Sequence, residues 1–231
     1  MFYYEMHQHT AGCSACGIDD PVSTVRGLKK AGFSGMVLTN HFFHGNTGIR
    51  RSLPWEAFVG AYEEAYLTAK AEGDRLDFDV LFGLEEGLGD GKEVLLYGIT
   101  PALLYARPEW PQATLPQLSA IVRAAGGLVF QAHPFRVRDY IPRPWEKLPA
   151  EQLDGIEVFN ACNGELENLR AQQLAQQTGL RPCAGSDAHT ADFPARAGIA
   201  CTRRVRDEAQ LAAVLRNREY SLYIQGEVVA L

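Results

Sequence analysis

The chain has 231 residues, a formal net charge of −6 and a pI of about 5.5, a balance that argues against a broad surface for nucleic acid or an anionic membrane. No apolar run is long enough to span a bilayer, and the N-terminus MFYYEMHQHT lacks the basic and apolar stretches of a signal peptide. A hydrophobic content of 46% supports one sizeable core, so a single domain over 1–231 is expected, with its five cysteines as reduced thiols in a cytoplasm.

In chain order, Phe2–Met6 reads as a strand. Asp20 and Pro21 open a helix through about Lys30, because Asp suits the cap and Pro the first turn, and Gly32 ends it. Gly35–Thr39 is a strand and Pro54 to about Ala71 a helix. Asp79–Gly83 and Val94–Gly98 read as neighbouring strands joined by a tight turn at 89–91. Leu115–Ala125 is a helix stopped by Gly126 and Gly127, and Leu128–Ala132 and Gly155–Phe159 are strands. A helix from about Glu165 to Gln177, a short extended Pro182–Gly185, a helix over Asp207–Arg216 and a last strand near Tyr220–Ile224 complete the chain. Such alternation implies an α/β fold with parallel strands and crossover helices.

The polar residues sit where these strands end. His7 and His9 follow the first strand, Asn40 and His41 the second, and Glu85 and Glu86 follow DVLFG. His133 follows LVFQA, Asn160 follows GIEVF, and Asp187 and His189 follow PCAGS. Residues at the C-terminal ends of barrel strands converge on one mouth, so a barrel-like arrangement is expected rather than an open sheet.

The pair His7 and His9 share one face of an extended segment, and Asp187 and His189 repeat that spacing. One such pair is commonly just a satisfied element of a half-buried strand. Of the six histidines, however, five fall at predicted strand ends, and with Glu85 and Asp187 they give seven nitrogen or oxygen ligands. That number exceeds one tetrahedral ion and suits two or three of Zn²⁺, Mn²⁺ or Fe. Such ions activate water for hydrolysis without a protein nucleophile, and the chain carries no G-x-S-x-G elbow.

At EMHQHT (5–10), LTNH (38–41), GLEEG (83–87), AHPFR (132–136) and GSDAHT (185–190) the sequence resembles the PHP family, the polymerase and histidinol phosphatase domains. EMHQHT…SAC, LLYG, QAHPFR and EVFN also resemble a bacterial subgroup of stand-alone PHP proteins. The resemblance implies a distorted TIM-like (β/α)7 barrel and phosphoester hydrolysis by a metal-bridging hydroxide. It implies that His7, His9, Glu85 and Asp187 hold one ion, that His133 with bridging Glu85 holds a second, and that His41 and His189 hold a third. Three positions depart from the pattern. Cys13, Ser14 and Ala15 replace an acidic or histidine ligand after H-x-H-T, Glu93 stands where some members have histidine, and Asn40 replaces an Asp that would orient His41. Glu93 reads equally as a ligand or as an exposed charge at a strand start.

His44 reads as a loop residue or a substitute ligand; Cys13-x-x-Cys16 reads as a redox pair, a thiolate site or, since there is no second C-x-x-C, plain thiols near the mouth, Cys13 being a minor candidate ligand. Arg136 is expected to meet an anionic phosphate, the alternative being a salt bridge, and Arg196 is open between the same two readings. Glu157 and Asn160 either support the ligands or merely end a strand. Tyr97 and the tryptophans at 55, 110 and 145 read as packing. The leading function is hydrolysis of a small phosphorylated metabolite or nucleotide. The alternatives are a metallo-amidohydrolase, which also begins with H-x-H but expects a lysine bridge, and a non-catalytic metal-binding structural or regulatory module.

Overall fold

The computed structural model describes residues 1–194 and 196–231. The first strand, β1 (Phe2–Gln8), runs past the predicted end at Met6, and its last five residues are all buried. Asp20 caps α1 (Pro21–Lys30) by accepting the N–H groups of Val22 and Ser23. After β2 (Gly35–Leu38) comes α2 (Trp55–Leu76), which continues beyond the expected end near Ala71. Its Gly73 packs so closely that a Cβ there would lie 2.6 Å from the Phe78 carbonyl oxygen. The glycine lets the helix approach the next strand rather than stopping it.

The chain continues through β3 (Asp79–Phe82), β4 (Leu84–Gly87), β5 (Glu93–Tyr97), α3 (Pro101–Tyr105), α4 (Leu115–Ala124), β6 (Leu128–Gln131) and β7 (Gly155–Asn160). It closes with α5 (Glu165–Thr178), β8 (Arg181–Gly185), β9 (Ala197–Cys201), α6 (Glu208–Asn217), β10 (Ser221–Ile224) and β11 (Glu227–Val229). The strands form a six-stranded sheet in the order β11-β10-β9-β1-β2-β3 and a five-stranded sheet in the order β4-β5-β6-β7-β8.

The fold is thus mixed α/β, but among the described residues the strands do not form a closed ladder of seven strand–helix units. β1, β2 and β3 are parallel, as are β6, β7 and β8, whereas β4, β5 and β6 run antiparallel and β9 returns antiparallel to β1. Hairpin-like connections take the place of some crossovers. Two isolated parallel bridges, Gln8 to Ala188 and His41 to Glu85, tie the sheets together at one rim.

The expected pairing of DVLFG with VLLYG is corrected: β5 pairs with β4 and β6, not with β3. The chain changes sheets at Gly83, where a Cβ would lie 2.6 Å from Val37 Cγ1 and 3.0 Å from the Leu96 carbonyl oxygen. Glu85 therefore lies inside a strand rather than after one. The short β9, AGIAC, is wholly buried and escaped the sequence reading because its small residues give no alternation.

The main core lies between the sheets, with Tyr4, Met6 and Val37 from one facing Leu95, Phe130 and Ile156 from the other. Tyr97 donates its hydroxyl across this core to the Met6 carbonyl at 2.9 Å. A second cluster packs Phe42, Phe58 and Trp110 outside the five-stranded sheet, and a third packs Val25, Leu28 and Met36 under α1 and α2. No helix among the described residues is long and apolar enough to cross a membrane.

Candidate metal centre

The rim where the two bridges join the sheets gathers eight sequence-selected residues: His7, His9, His41, Glu85, Glu93, His133, Asp187 and His189. Glu85 is central and fully buried. Its Oε1 lies 2.8 Å from His133 Nε2 and 3.3 Å from His7 Nε2. Its Oε2 lies 2.9 Å from His41 Nδ1 and 3.4 Å from His9 Nε2. Asp187 Oδ1 faces His9 Nε2 at 3.2 Å and His7 Nε2 at 3.6 Å. Glu93 closes the outer side, 3.2 Å from His133 Nε2 and 3.4 Å from His41 Nδ1. Glu93 is thus part of the cluster and not a free charge at a strand start.

Four atoms at the centre are buried without a hydrogen-bond partner: His7 Nε2, His9 Nε2, His41 Nδ1 and Glu85 Oε2. They meet one another's charges only, Glu85 Oε2 and His41 Nδ1 lying 2.9 Å apart outside hydrogen-bond geometry, and buried polar atoms are rarely left so. Their nitrogen and oxygen chemistry fits divalent cations. Four groups of three side chains bring their ligand atoms within 4.8 Å of one another: His7, His9 and Glu85; His7, His133 and Asp187; His41, Glu85 and Glu93; and His9, His41 and His189. Charge points the same way, since Glu85, Glu93 and Asp187 surround the space, with Glu157 behind His7, against Arg136 and Lys92 on the cavity wall.

Three of the imidazoles are aimed by a partner behind the ring, and two more are held through their backbone N–H. His7 Nδ1 meets Glu157 Oε1 at 2.9 Å. The other Glu157 oxygen accepts the His133 N–H at 2.7 Å and Asn160 Nδ2 at 2.9 Å. Gly185 makes room for this pair, because a Cβ there would sit 2.5 Å from His7 Cβ and 2.6 Å from Glu157 Oε1. Ser14 Oγ donates to Asn40 Oδ1 at 2.8 Å, accepts the His41 N–H at 3.0 Å and lies 3.0 Å from His9 Nδ1. Asn40 thus acts on His41 and His9 through Ser14, not by direct contact with the His41 ring. Behind His189, Nδ1 lies 2.8 Å from the Asp187 carbonyl oxygen, which accepts from it. Once each ring is neutral, these contacts leave the other ring nitrogen of His7, His9 and His189 as the electron-pair donor.

The backbone is also held in uncommon geometry here. His133 and Asp187 have φ of 25° and 55°, the left-handed side that non-glycine residues rarely adopt. The surrounding hydrogen bonds hold both residues against a cost of about 1–3 kcal/mol each.

The electrostatics put extra protons on some of these imidazoles and not on others. Burial disfavours charge on His7, but Asp187, Glu157 and Glu85 outweigh it and raise its pKa well above the ordinary imidazole value. His41 is likewise raised against its burial, chiefly by Glu85. His9 goes the other way, to about 3, through burial and the charge on His41 and His7. Glu85 and Asp187 stay well below the usual carboxylate range despite burial, the first held by His7 and His41, the second by His7 and Arg136.

A cavity of about 480 Å³ opens onto this cluster, walled by His41, Glu93, Asp187 and His189 and further by Cys16, His44, Lys92, Arg136 and Tyr140. Arg136 lies on its wall, but its hydrogen-bonding groups are largely engaged. Its Nη2 meets Asp187 Oδ2 and, at 3.0 Å, Asn160 Oδ1, while its Nε donates to Asn163 Oδ1 at 2.9 Å. The salt-bridge alternative of the sequence reading is realised, and Arg136 positions Asp187 while presenting its charge to the cavity.

The remaining candidates are placed as follows. His44 lines the cavity, but its Nε2 donates to the Pro111 carbonyl at 2.9 Å and it joins none of the ligand groups. Cys13 is buried in the aromatic core, and burial pushes its thiol pKa up. Arg196 donates to the Ala191 carbonyl and faces Glu5, away from the cavity. Trp55, Trp110 and Tyr97 pack as expected, and Trp145 is half-exposed with Arg170 stacked 4.0 Å over its ring. Sequence reasoning missed Ser14, whose role depends on three partners from distant segments. It also passed over Cys16 in favour of Cys13. Cys16 Sγ lies 3.1 Å from His189 Nε2, and although burial opposes it, His189 and His41 lower its thiol to about 6.

Three comparisons bear on this arrangement. A family profile described as PHP-associated matches residues 165–220. That segment spans α5 to α6 and contributes β8 to one sheet and β9 to the other. No curated protein matches the sequence. Among solved structures, a two-domain protein from Bacteroides vulgatus containing a predicted PHP-like metal-dependent phosphoesterase matches with TM-score 0.71 and 17% identity, over 98% of this chain and 66% of that one. An amidohydrolase from Chromobacterium violaceum, with bound sulfate and no metal, matches with TM-score 0.58 and 17% identity, over 81% of this chain and 87% of that one. The lesion-specific endonuclease PfuEndoQ from Pyrococcus furiosus matches with TM-score 0.61 and 10% identity, over 96% of this chain and 57% of that one. At these identities the likeness establishes the fold.

Proposed function

We propose that this chain is a PHP-type metal-dependent phosphoesterase acting on a small phosphorylated metabolite or nucleotide, a reading that its PHP-associated match over 165–220 and its fold support. The observation that carries the reading is the set of four buried ligand atoms without hydrogen bonds, His7 Nε2, His9 Nε2, His41 Nδ1 and Glu85 Oε2, beside an open cavity that His41 itself lines. In this reading His7, His9, Glu85 and Asp187 hold one ion, and His133, Glu85 and Glu93 a second. His41 and His189 contribute to a third, and Zn, Mn or Fe suits the donors. Bound divalent ions supply Lewis acidity, which lowers the pKa of water and neutralises charge on a phosphate.

The side chains do the rest. Glu157, Ser14 and the Asp187 carbonyl fix the imidazole tautomers, so that no reorganisation is needed when substrate arrives. Arg136 and Lys92 place positive charge on the wall where the phosphate would enter, and the cavity volume is that of a small-molecule site. The opened two-sheet arrangement is read as a distorted, incompletely paired barrel, and residues 1–231 as one catalytic unit. Free cysteines at all five positions suit a reducing cytoplasm.

A second reading is a metallo-amidohydrolase, favoured by the likeness to the Chromobacterium violaceum amidohydrolase. Against it, the residue between the ligand groups is Glu85 rather than a lysine. The test is turnover of para-nitrophenyl phosphate, bis-para-nitrophenyl phosphate and a cyclic amide by protein loaded with Mn²⁺, Zn²⁺ or Fe²⁺. Phosphoester turnover that Asp187→Asn abolishes is the expected result. Turnover of the amide alone would replace the proposal with the second reading, and no turnover of any substrate would leave a metal-binding module.

A further inference from the structure

The loop after the first two histidines is built back onto the cluster. Gly17 lets it fold there, since a Cβ at this position would lie 2.2 Å from the Thr10 carbonyl carbon and 2.3 Å from its oxygen. The N–H groups of Ile18 and Asp19 both donate to the His189 carbonyl, at 3.0 and 3.4 Å, and Ala15 donates to the Asn46 carbonyl at 2.9 Å. The first two of these bonds fasten the segment to the same residue whose ring it faces. Cys16 is thereby brought to the cavity wall with its sulfur 3.1 Å from His189 Nε2.

The electron pair at His189 Nε2 is directed at that sulfur, because Nδ1 is committed to the Asp187 carbonyl. The group His9, His41 and His189 is compact, with the His9 ring stacked between the other two at centroid distances of 4.4 and 4.6 Å. Within this group His9 Nε2 is fully buried and His41 Nδ1 nearly so, and neither has a hydrogen-bond partner. One ligand atom from each of the three lies within 4.8 Å of the others, and because His9 is shared with the first ion, the two remaining imidazoles alone would be a poor cation site.

We propose that Cys16 supplies a thiolate that, with His41 and His189, holds the third divalent ion of the cluster. The inference rests on the metal-centre reading above and deepens it: the sulfur occupies the role left open where the sequence lacks an acidic or histidine ligand after H-x-H-T. On coordination the thiol proton leaves to solvent and a sulfur–metal bond forms, with no change of oxidation state. A thiolate biases this position toward Zn²⁺, Fe²⁺ or Co²⁺ over Mn²⁺ or Mg²⁺.

The experiment is titration of Co²⁺ into the chelator-treated full chain, followed by visible and near-ultraviolet absorption and by elemental analysis. The expected result is a sulfur-to-cobalt charge-transfer band in the wild type that is absent in Cys16→Ser, with one fewer cobalt retained per chain after desalting. Cys162→Ser, which changes the thiol behind Asp187, is expected to keep the band. Cobalt binding without a charge-transfer band, or a band that survives Cys16→Ser, overturns the thiolate ligand and leaves the rest of the metal centre standing. Failure to take up cobalt at all overturns both.

Discussion

Replacing Glu157 with glutamine tests whether the buried carboxylate behind His7 sets the geometry of the centre. Glu157 is 1% exposed and accepts from three donors: His7 Nδ1, the His133 N–H and Asn160 Nδ2. An amide keeps one acceptor oxygen. If that oxygen faces His7, the new NH₂ meets the His133 N–H and the Asn160 amide, and buried donors face one another at a cost of about 1–3 kcal/mol. If the amide flips, its NH₂ drives the His7 proton from Nδ1 to Nε2, the atom aimed at Glu85 and Asp187. Either orientation weakens metal binding. Partners of this kind are worth roughly 10- to 100-fold in affinity, or about 1.4–2.7 kcal/mol. The assay is competition for Zn²⁺ or Mn²⁺ against a chromophoric chelator, with circular dichroism to establish that the variant is folded. A folded Glu157→Gln protein binding metal within about twofold of wild type, well inside that range, would refute the reasoning.

Two further predictions follow from charge. Metal uptake at pH 7 is expected to release protons, at least those of His7 and His41, because both are raised well above the ordinary imidazole value and must deprotonate to ligate. Calorimetric titration in two buffers of different ionisation enthalpy measures this, and an identical heat in both buffers would contradict it. The second concerns Glu86, which burial raises to about 7 even though it accepts the His44 and Gly87 N–H groups and Trp110 Nε1. Between the unfolded value of about 4.5 and the folded value the native state holds the extra proton. The Glu86 contribution is therefore full below that window and is lost as pH rises through about 7, by an amount on the order of 3 kcal/mol. Denaturant melts from pH 4.5 to 8 with chelator present should show a steeper decline for wild type than for Glu86→Gln, and equal slopes would dispose of the assignment.

Much of the centre was legible in the chain because ligand chemistry is local in residue type. His7 with His9, Asp187 with His189, and Glu85 declare themselves by identity and by their position at or near strand ends, and the rim gathers all of them. Strand and helix existence was equally readable where an amphipathic helix was well marked, as in α1 and α4, or where a short apolar run stood between turn residues, as in β6. What failed was pairing. β5 was matched with β3 because both are short apolar runs near a turn, and nothing local shows that Gly83 carries the chain from one sheet to the other.

The sequence by itself determined which atoms could bind cations and that they would meet, since burying so many imidazoles and carboxylates on strand ends has few other outcomes. Only the tertiary structure decided how they are aimed. Ser14 matters through Asn40, His9 and His41, Arg136 through Asp187 and Asn160, and Cys16 through a loop pinned to the His189 carbonyl. Those roles come from hydrogen bonds between segments up to 173 residues apart, and such bonds leave no periodic trace in the chain, because their geometry exists only once the two sheets have closed on a common core.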